Sequence, residues 1–277
     1  MLFVRFINVK FTTNKKMYLY KITMGFISNL EKAVRKNYGD IQNKLSFLPK
    51  SPTKILGKKQ VMGIRRKGVL EQFKDPDILK ILKFNNDNYE MLHSDKDGLM
   101  LGHYLEFLKQ TDCMDGDILE LGTYKGVTTI LFAKFLDLIK SDKKIYTCDV
   151  FTGLPYEDKH STAKNAVGSF SDTSYEFVNS QFDKFNVSQR ITIVKGLFED
   201  TLYKTLDKNK FSFVLLDCDI YDSTKFCLPF IDDRLNGIVA FDDYEQDPNK
   251  KPRWGMTQAV NEFYQKINLE PVPHLMK

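Results

Sequence analysis

Two short apolar runs in the C-terminal half of the chain each end in a cluster of aspartates. The first run leads into Asp217 and Asp219, and the second leads into Asp242 and Asp243. A short apolar run of this kind is typical of a buried strand in a parallel sheet. Carboxylates crowded at neighbouring strand ends need a cation or shared protons to offset their repulsion. The pattern favours a hard divalent ion, Mg²⁺ before Mn²⁺ or Ca²⁺, although any single Asp can instead be a turn residue or a helix N-cap.

The sequence around these clusters alternates between apolar strands and helices. We predict strands over 118–121, 144–149, 191–195, 211–217 and 238–242. We predict helices over 127–139, 174–186 and 255–266. This alternation indicates an α/β fold with a mostly parallel, doubly wound sheet, in which ligands bind outside the carboxyl ends of the strands. Both aspartate clusters fall at such ends.

The chain before this α/β region differs in charge and in pattern. Basic residues outnumber acidic ones over the first 75 residues, the reverse holds afterwards, and the net charge is +5. We divide the chain into a basic, partly irregular extension (1–68), a helical cap (69–114) and the α/β domain (115–277). Helices are expected at 27–38, 69–82 and 99–110, and a linker rich in Pro, Gly and Lys at 45–68. A basic segment can dock on an anionic surface, but a solvated tail is the simpler interpretation.

Composition and motifs also argue against several classes of protein. No apolar run reaches 18 residues, so no transmembrane segment is expected, and the first residues lack the features of a secretory signal. The four cysteines form no C-x-x-C pair and are expected to be reduced core residues of a cytoplasmic protein. No nucleic-acid-binding motif is present, so no nucleic-acid partner is expected.

A turn containing two glycines follows the first strand of the α/β domain, between Glu120 and Gly126. Glycine lets the backbone approach a ligand, and the N-terminus of the next helix offers free N–H groups. The pattern is neither the dinucleotide-binding G-x-G-x-x-G nor a P-loop. An acid before Gly122 would repel a pyrophosphate but suits an ammonium or sulfonium ligand. Asp149, at the end of the second strand, can accept hydrogen bonds from ribose hydroxyls.

Together these segments resemble the macrocin O-methyltransferase family, which comprises metal- and S-adenosylmethionine-dependent enzymes that methylate sugar hydroxyls of natural products. The resemblance extends from about residue 115 onward. The matching segments are 120–126, 149–155, 196–202, 216–224 and 242–244. The resemblance implies a Rossmann-like class I methyltransferase sheet preceded by a helical extension, with S-adenosylmethionine and Mg²⁺ as cofactors.

The resemblance also implies roles for individual residues. Those that would surround S-adenosylmethionine are Glu120, Gly122, Thr123, Tyr124, Gly126, Asp149, Phe151, Gly196, Phe198 and Asp217. Those that would hold Mg²⁺ are Asp217, Asp242 and Asp243. The candidates for the general base are His160, in a polar loop near the site, and Asp219; a solvated loop residue is the alternative for His160. Catechol-type methyltransferases carry a lysine where this chain has Ile220, so no lysine base is available there.

The C-terminus departs from the usual class I pattern. Such sheets normally end in two further strands, the last of them antiparallel. After the helix at 255–266, only 269–277 remain, and two prolines interrupt this segment. Either the slot stays empty and leaves an open edge, or another segment such as 2–12 fills it.

The sequence therefore predicts a cytoplasmic, Mg²⁺-dependent O-methyltransferase that acts on a hydroxyl of a sugar or a glycosylated metabolite. The loops at 152–174 and 244–256 are expected to shape the acceptor pocket. Two alternatives remain open: a Mg²⁺-dependent phosphohydrolase built on the same sheet, and a non-catalytic homologue that binds S-adenosylmethionine. The acceptor and the oligomeric state do not follow from the sequence, which is compatible with a homo-oligomer.

Overall fold

The computed structural model describes residues 3–6, 72–93, 98–162, 167–244, 252–266 and 272–273. The helix expected at 27–38 and the linker expected at 45–68 lie outside the described residues. Within the described ranges, no helix combines the length and the apolar character needed to cross a membrane.

A sheet of seven strands forms the centre of the described part of the chain. The strands are β1 (Phe3–Phe6), β2 (Asp117–Leu121), β3 (Ile145–Asp149), β4 (Ile191–Lys195), β5 (Phe211–Leu216), β6 (Leu235–Phe241) and β7 (Val272–Pro273). Their spatial order is β4-β3-β2-β5-β6-β1-β7. The five strands from β4 to β6 are parallel and are those predicted from the sequence, so the doubly wound parallel sheet is confirmed.

Eight α-helices lie in the described ranges. They are α1 (Pro76–Asp87), α2 (Tyr89–Leu92), α3 (Gly98–Thr111), α4 (Val127–Leu138), α5 (Tyr175–Lys184), α6 (Phe198–Thr205), α7 (Tyr221–Arg234) and α8 (Met256–Lys266). The first helix begins later than the sequence predicted. Asp75 caps it by accepting from the N–H groups of Asp77 and Ile78, and Pro76 occupies its first turn, where a missing N–H costs nothing.

Strand β5 is buried along its whole length because helices cover both of its faces, and every residue in it except Ser212 is apolar. All six of its residues are buried. On one face Phe213 meets Phe132 of α4 with ring centroids 5.8 Å apart, and on the other Phe211 meets Phe230 of α7 at 6.4 Å. Each such side chain contributes about 1.5–3 kcal/mol by its removal from water. β5, the strand that ends at Asp217, is therefore held firmly in place by packing on both of its faces.

The N-terminal strand fills the antiparallel slot next to β6. In β1, Phe3 lies opposite Phe241 and Phe6 lies opposite Ile238, and the two strands run antiparallel. The short β7 pairs with the outer edge of β1, also antiparallel. Of the two alternatives left open for this slot, the second, a segment within 2–12, is therefore the one found. As a result the edge of β6, which leads into Asp242, is paired.

The predicted cap and the sheet share one core. Helix α3 packs against α1, α4, β5 and β6, and its Leu101, Leu105 and Leu108 are buried as the helical pattern predicted. All described residues belong to a single compact unit. A helix that precedes the sheet in the chain thus packs against the two strands that lead into the aspartates.

Candidate functional site

A cavity of about 530 Å³ lies at the carboxyl ends of the five parallel strands. The order of strands reverses between β2 and β5, and open α/β sheets bind ligands at such a reversal. Each of the five strand ends contributes to the lining: Gly196, Asp149, Gly122, Asp217 and Asp242. The structure therefore brings the predicted segments together in one place.

Gly122 lets the backbone that follows β2 lie directly against the backbone that follows β5. Its φ is +103°, and a Cβ at this position would lie 1.8 Å from the carbonyl oxygen of Asp217. The N–H of Asp217 donates to the carbonyl of Leu121 at 2.8 Å. No side chain fits at this crossing. The glycine turn and the first aspartate are thus held together by a direct backbone contact.

Asp149 braces the glycine turn from the end of β3. Its Oδ2 accepts hydrogen bonds from the N–H groups of Thr123 and Tyr124 at 2.9 and 2.8 Å, and its Oδ1 accepts from that of Phe151 at 2.7 Å. A carboxylate offers about four acceptor positions, so roughly one remains for a ligand hydroxyl. Asp149 therefore shapes the turn as well as lining the cavity, a role that the sequence did not reveal.

Three carboxylates meet on the other side of the cavity. One oxygen each from Asp217, Asp242 and Asp243 lies within 4.8 Å of the others. Octahedral coordination at about 2.1 Å places ligand oxygens about 3–4.2 Å apart, and Mg²⁺ prefers oxygen ligands. The residues predicted as metal ligands thus lie together and could hold a divalent cation.

Asp219 lies beside this cluster, in a left-handed conformation with φ of +59°. Burial raises the pKa of its carboxyl well above the usual range, and a hydrogen bond with Asp243 and the charge of Asp217 act in the same direction. A carboxyl whose pKa is raised is better suited to accept a proton from a substrate near neutral pH. Its backbone carbonyl also accepts from the N–H of Met256 at 3.0 Å, so the turn is tied to the start of α8.

Comparison with known protein families decides what kind of enzyme this arrangement belongs to. The model of the family described as macrocin-O-methyltransferase (TylF) matches residues 103–272, more than half of the chain. The chain belongs to the macrocin O-methyltransferase family. Its reaction is therefore a methyl transfer to oxygen.

Two solved structures share the fold of this macrocin O-methyltransferase family member. The O-methyltransferase NovP is 23% identical with a TM-score of 0.51, and the match covers 62% of this chain and 74% of NovP. The calicheamicin methyltransferase CalS11 is 22% identical with a TM-score of 0.55, and the match covers 78% of this chain and 86% of CalS11. At this level of identity the likeness shows the Rossmann-like fold alone. No curated protein sequence matches the chain.

Most of the cofactor residues implied by the macrocin O-methyltransferase resemblance line the cavity, but Glu120 does not. Its side chain is 1% exposed and accepts hydrogen bonds from the hydroxyls of Thr129 and Thr147, the latter at 2.8 Å. Because Thr147 donates to Glu120, it accepts from the hydroxyl of Thr123, 2.6 Å away. The predicted contact of Glu120 with the cofactor is therefore corrected. Glu120 supports the glycine turn through hydrogen bonds that run from its carboxyl group to Thr147 and from Thr147 to Thr123.

Gly126 and Phe151 also lie outside the cavity lining. A Cβ on Gly126 would lie 2.8 Å from the ring of Phe182, so this glycine allows α4 to begin close against α5. Phe151 is 5% exposed, and its ring meets the edge of Tyr175 with centroids 6.1 Å apart. Both residues pack the surroundings of the turn, which explains their place in the motif without a cofactor contact.

His160 lies in a second cavity of about 370 Å³, which shares Pro155 with the first. Its Nδ1 is 2.8 Å from the side-chain oxygen of Gln258, and its ring stacks on Tyr221 with centroids 4.0 Å apart. The lining of the second cavity includes none of the clustered aspartates. His160 thus lines the neighbouring cavity, whereas Asp219, the other candidate base, lines the main cavity together with the clustered aspartates.

Described residues of the loops that follow β3 and β6 line the main cavity. Phe170 from the first loop and Trp254 from the second both line it, with ring centroids 6.4 Å apart. The N–H of Gly255 donates to the carboxylate of Asp158 at 2.8 Å, which ties the two loops together. These are the loops that the sequence predicted to shape the acceptor pocket.

One residue that sequence reasoning missed contacts one of the three clustered carboxylates from α3. Tyr104 is 1% exposed, and its hydroxyl donates a hydrogen bond to Oδ1 of Asp242. In the sequence it lies on the same apolar helix face as Leu101, Leu105 and Leu108, which indicates a core residue. The sequence signal for such a role was its phenol, because a buried tyrosine hydroxyl needs a polar partner. Here Asp242 is that partner.

Proposed function

We propose that the protein transfers the methyl group of S-adenosylmethionine to a hydroxyl of a sugar or a glycosylated metabolite, with Mg²⁺ as the metal. One observation carries the proposal: the carboxylates of Asp217, Asp242 and Asp243 share a cavity with a glycine turn braced by Asp149. The family assignment supplies methyl transfer to oxygen. CalS11, which has the same fold, is a TDP-rhamnose 3′-O-methyltransferase, which supports a sugar as the acceptor.

The donor would bind along the ends of β2, β3 and β4. Gly122 and Thr123 of the turn line the cavity, and Asp149 keeps about one acceptor position for a ribose hydroxyl. Gly196 and Phe198 line the far end, where an aromatic ring can pack against a planar base. S-adenosylmethionine supplies a methyl group already activated by the sulfonium charge, so the protein's task is alignment.

The acceptor would bind next to the aspartates at the ends of β5 and β6. Asp217, Asp242 and Asp243 would hold Mg²⁺, which when bound supplies a positive charge that lowers the pKa of a hydroxyl and orients it. The carboxylate of Asp219 takes the hydroxyl proton while the new C–O bond forms and the S–C bond breaks. The sulfonium charge is thereby lost, and the proton leaves through Asp219 to solvent.

The aromatic rings of Phe170 and Trp254 would limit access of water to the cavity during the transfer. Trp254 is 4% exposed and Phe170 is 39% exposed, so one side chain is anchored and the other remains at the surface. Apolar rings at the mouth can cover the flat, apolar face of a sugar ring while its hydroxyls point to the acids. We assign these two residues to acceptor binding.

The two alternative functions have less support. A phosphohydrolase does not agree with membership of a methyltransferase family. A non-catalytic homologue was suggested by the short C-terminus and by the lack of a lysine base at Ile220. β1 fills the slot that raised the first concern, and Asp219 lines the cavity as an alternative base. Cytoplasmic location stays part of the proposal, and it is consistent with four cysteines that are all free thiols. The expectation that all four are core residues is corrected for Cys113, which is exposed.

The proposal is tested by calorimetric titration of S-adenosylmethionine and its demethylated product, with and without Mg²⁺. We expect micromolar binding of both, and Mg²⁺ binding that Asp217→Asn weakens at least about tenfold. Asp142→Asn is the matched control, since it removes the same charge from an exposed residue before β3, at the opposite edge of the sheet. Folded wild-type protein that bound neither nucleoside would refute the donor assignment.

Turnover separates an enzyme from a non-catalytic homologue. Release of the demethylated product is followed with a panel of nucleotide sugars and glycosylated metabolites. Activity that is abolished by chelation, restored by Mg²⁺ and lost in Asp219→Asn would support the mechanism. Activity unchanged in Asp219→Asn would remove that residue as the base.

A further inference from the structure

Tyr104 of the helical cap is buried next to the three clustered carboxylates and is hydrogen-bonded to one of them. Its hydroxyl donates to Oδ1 of Asp242, and its ring meets the edge of Phe132 with centroids 6.3 Å apart. It is among the largest fully buried side chains of the protein. A side chain of this size, packed on a helix that contacts both β5 and β6, has little freedom to move.

The orientation of the Asp242 carboxylate matters because three acids converge where β5 and β6 end. Without a donor, mutual repulsion with Asp217 and Asp243 favours rotation of each carboxylate away from the others. A carboxylate has two oxygens, so Asp242 can accept from Tyr104 on one and coordinate a cation with the other. A hydrogen bond from a rigid donor therefore holds the ligand in place before the cation arrives.

The phenol of Tyr104 is suited to this role because its hydroxyl can donate one hydrogen bond to a carboxylate oxygen while its ring packs against Phe132. Because it does not line the cavity, it cannot touch the substrate and acts only through Asp242.

We infer that Tyr104 is a positioning residue that orients Asp242 for divalent-cation binding, so that a helix preceding the sheet sets the metal affinity of the site. This rests on the metal site of the proposed function. Partners that orient a metal ligand typically change metal affinity 10–100-fold when they are removed. Tyr104→Phe removes the hydroxyl and keeps the ring, so it isolates the hydrogen bond from the packing.

The test is calorimetric titration of Mg²⁺, and of Mn²⁺ followed by electron paramagnetic resonance, into wild type, Tyr104→Phe and Tyr244→Phe. Tyr244 is the matched control: it is also buried, but its hydroxyl donates to the side chain of Asn261, at 2.6 Å. We expect at least about a tenfold loss of metal affinity in Tyr104→Phe and less than about twofold in Tyr244→Phe. Affinity for the demethylated cofactor product, measured without metal, should stay unchanged in both.

The outcomes are distinguishable. If the wild type binds no divalent cation, the proposed metal site fails. If the wild type binds and Tyr104→Phe binds equally well, or both variants lose affinity equally, the inference about Tyr104 is overturned. Should Tyr104→Phe not fold, the wild type labelled with ¹³C at the tyrosine ζ carbon gives the answer: Mg²⁺ must shift the assigned Tyr104 resonance, and an unmoved resonance overturns the inference.

Discussion

Replacing Gly122 by alanine should disturb both the glycine turn, which is proposed to bind S-adenosylmethionine, and the cluster of Asp217, Asp242 and Asp243. The Cβ of alanine would lie 1.8 Å from the backbone carbonyl oxygen of Asp217, whereas ordinary contact begins near 3.4 Å. The obstacle is backbone and cannot rotate away. Relief requires the two strand ends to separate by roughly 1.2–1.6 Å, and misplacement of about 1 Å in a catalytic site can cost a hundredfold in rate.

A second glycine separates this clash from simple backbone strain. Gly168 also has a positive φ, +85°, but a Cβ there would meet nothing within 4 Å. An L-residue held in such a conformation costs about 1–3 kcal/mol. Gly168→Ala should therefore lose only that amount of unfolding free energy, whereas Gly122→Ala should lose more and also lose activity.

The assay compares urea unfolding, binding of the demethylated cofactor product, and Mg²⁺ affinity for the two alanine variants. We expect Gly122→Ala to weaken both ligands at least about tenfold and to lower turnover about a hundredfold or more. Gly168→Ala should retain both affinities within about twofold. If Gly122→Ala bound both ligands as tightly as Gly168→Ala, the backbone contact with Asp217 would not be what couples the two parts of the site.

Three further predictions concern the buried carboxyls and the N-terminal strand. Thr147→Val removes a donor to buried Glu120 and should cost about 1–3 kcal/mol in urea unfolding. It should change affinity for the demethylated cofactor product little, and a large loss would restore Glu120 as a cofactor contact. Because the pKa of Asp219 is raised in the folded state, its contribution to the stability of the metal-free protein is present at acidic pH and lost as the pH rises through the raised pKa. Asp219→Asn should flatten that dependence between pH 4 and 8, and an unflattened profile would refute the assignment. Deleting residues 1–7 removes β1 and should cost on the order of 2–4 kcal/mol, from a few backbone hydrogen bonds of about 0.5–1.5 kcal/mol each, and promote association detectable by light scattering. Unchanged stability would mean that β6 does not need this partner.

The parallel part of the sheet could be predicted because its signal is local. Each strand is a short apolar run, and β5 and β6 end where charge begins, at Asp217 and Asp242. The start of α1 was misplaced because apolar spacing continued upstream of the Asp75 cap and Pro76, which determine where the helix begins. β1 was weakly predicted, since its four residues carry little periodic pattern and their partner strand lies far along the chain.

The position of the site could also be predicted, but the direction of each side chain could not. Parallel strands end at one edge, so acids at those ends must meet there, and Asp217, Asp242 and Asp243 do. Glu120 lies inside β2, where neighbouring residues point to opposite faces. A motif match specifies that an acid stands before the glycine, but only the threonines packed around it show that its carboxyl group is hydrogen-bonded to buried side chains.

Residues that reach the site from outside the strands are the hardest to assign, because their role depends on tertiary contacts. His160 occupied a polar loop at a plausible distance in sequence, yet its bond to Gln258 and its stacking on Tyr221 hold it in the neighbouring cavity. Tyr104 is the opposite case: its sequence pattern is that of a core residue, yet its hydroxyl donates to the carboxylate of Asp242, a proposed metal ligand. In both cases the sequence shows the chemical type of the residue but not its position in the fold. Roles beyond the family motif are therefore found by identifying the hydrogen-bond partners of buried polar atoms in the cap and the loops.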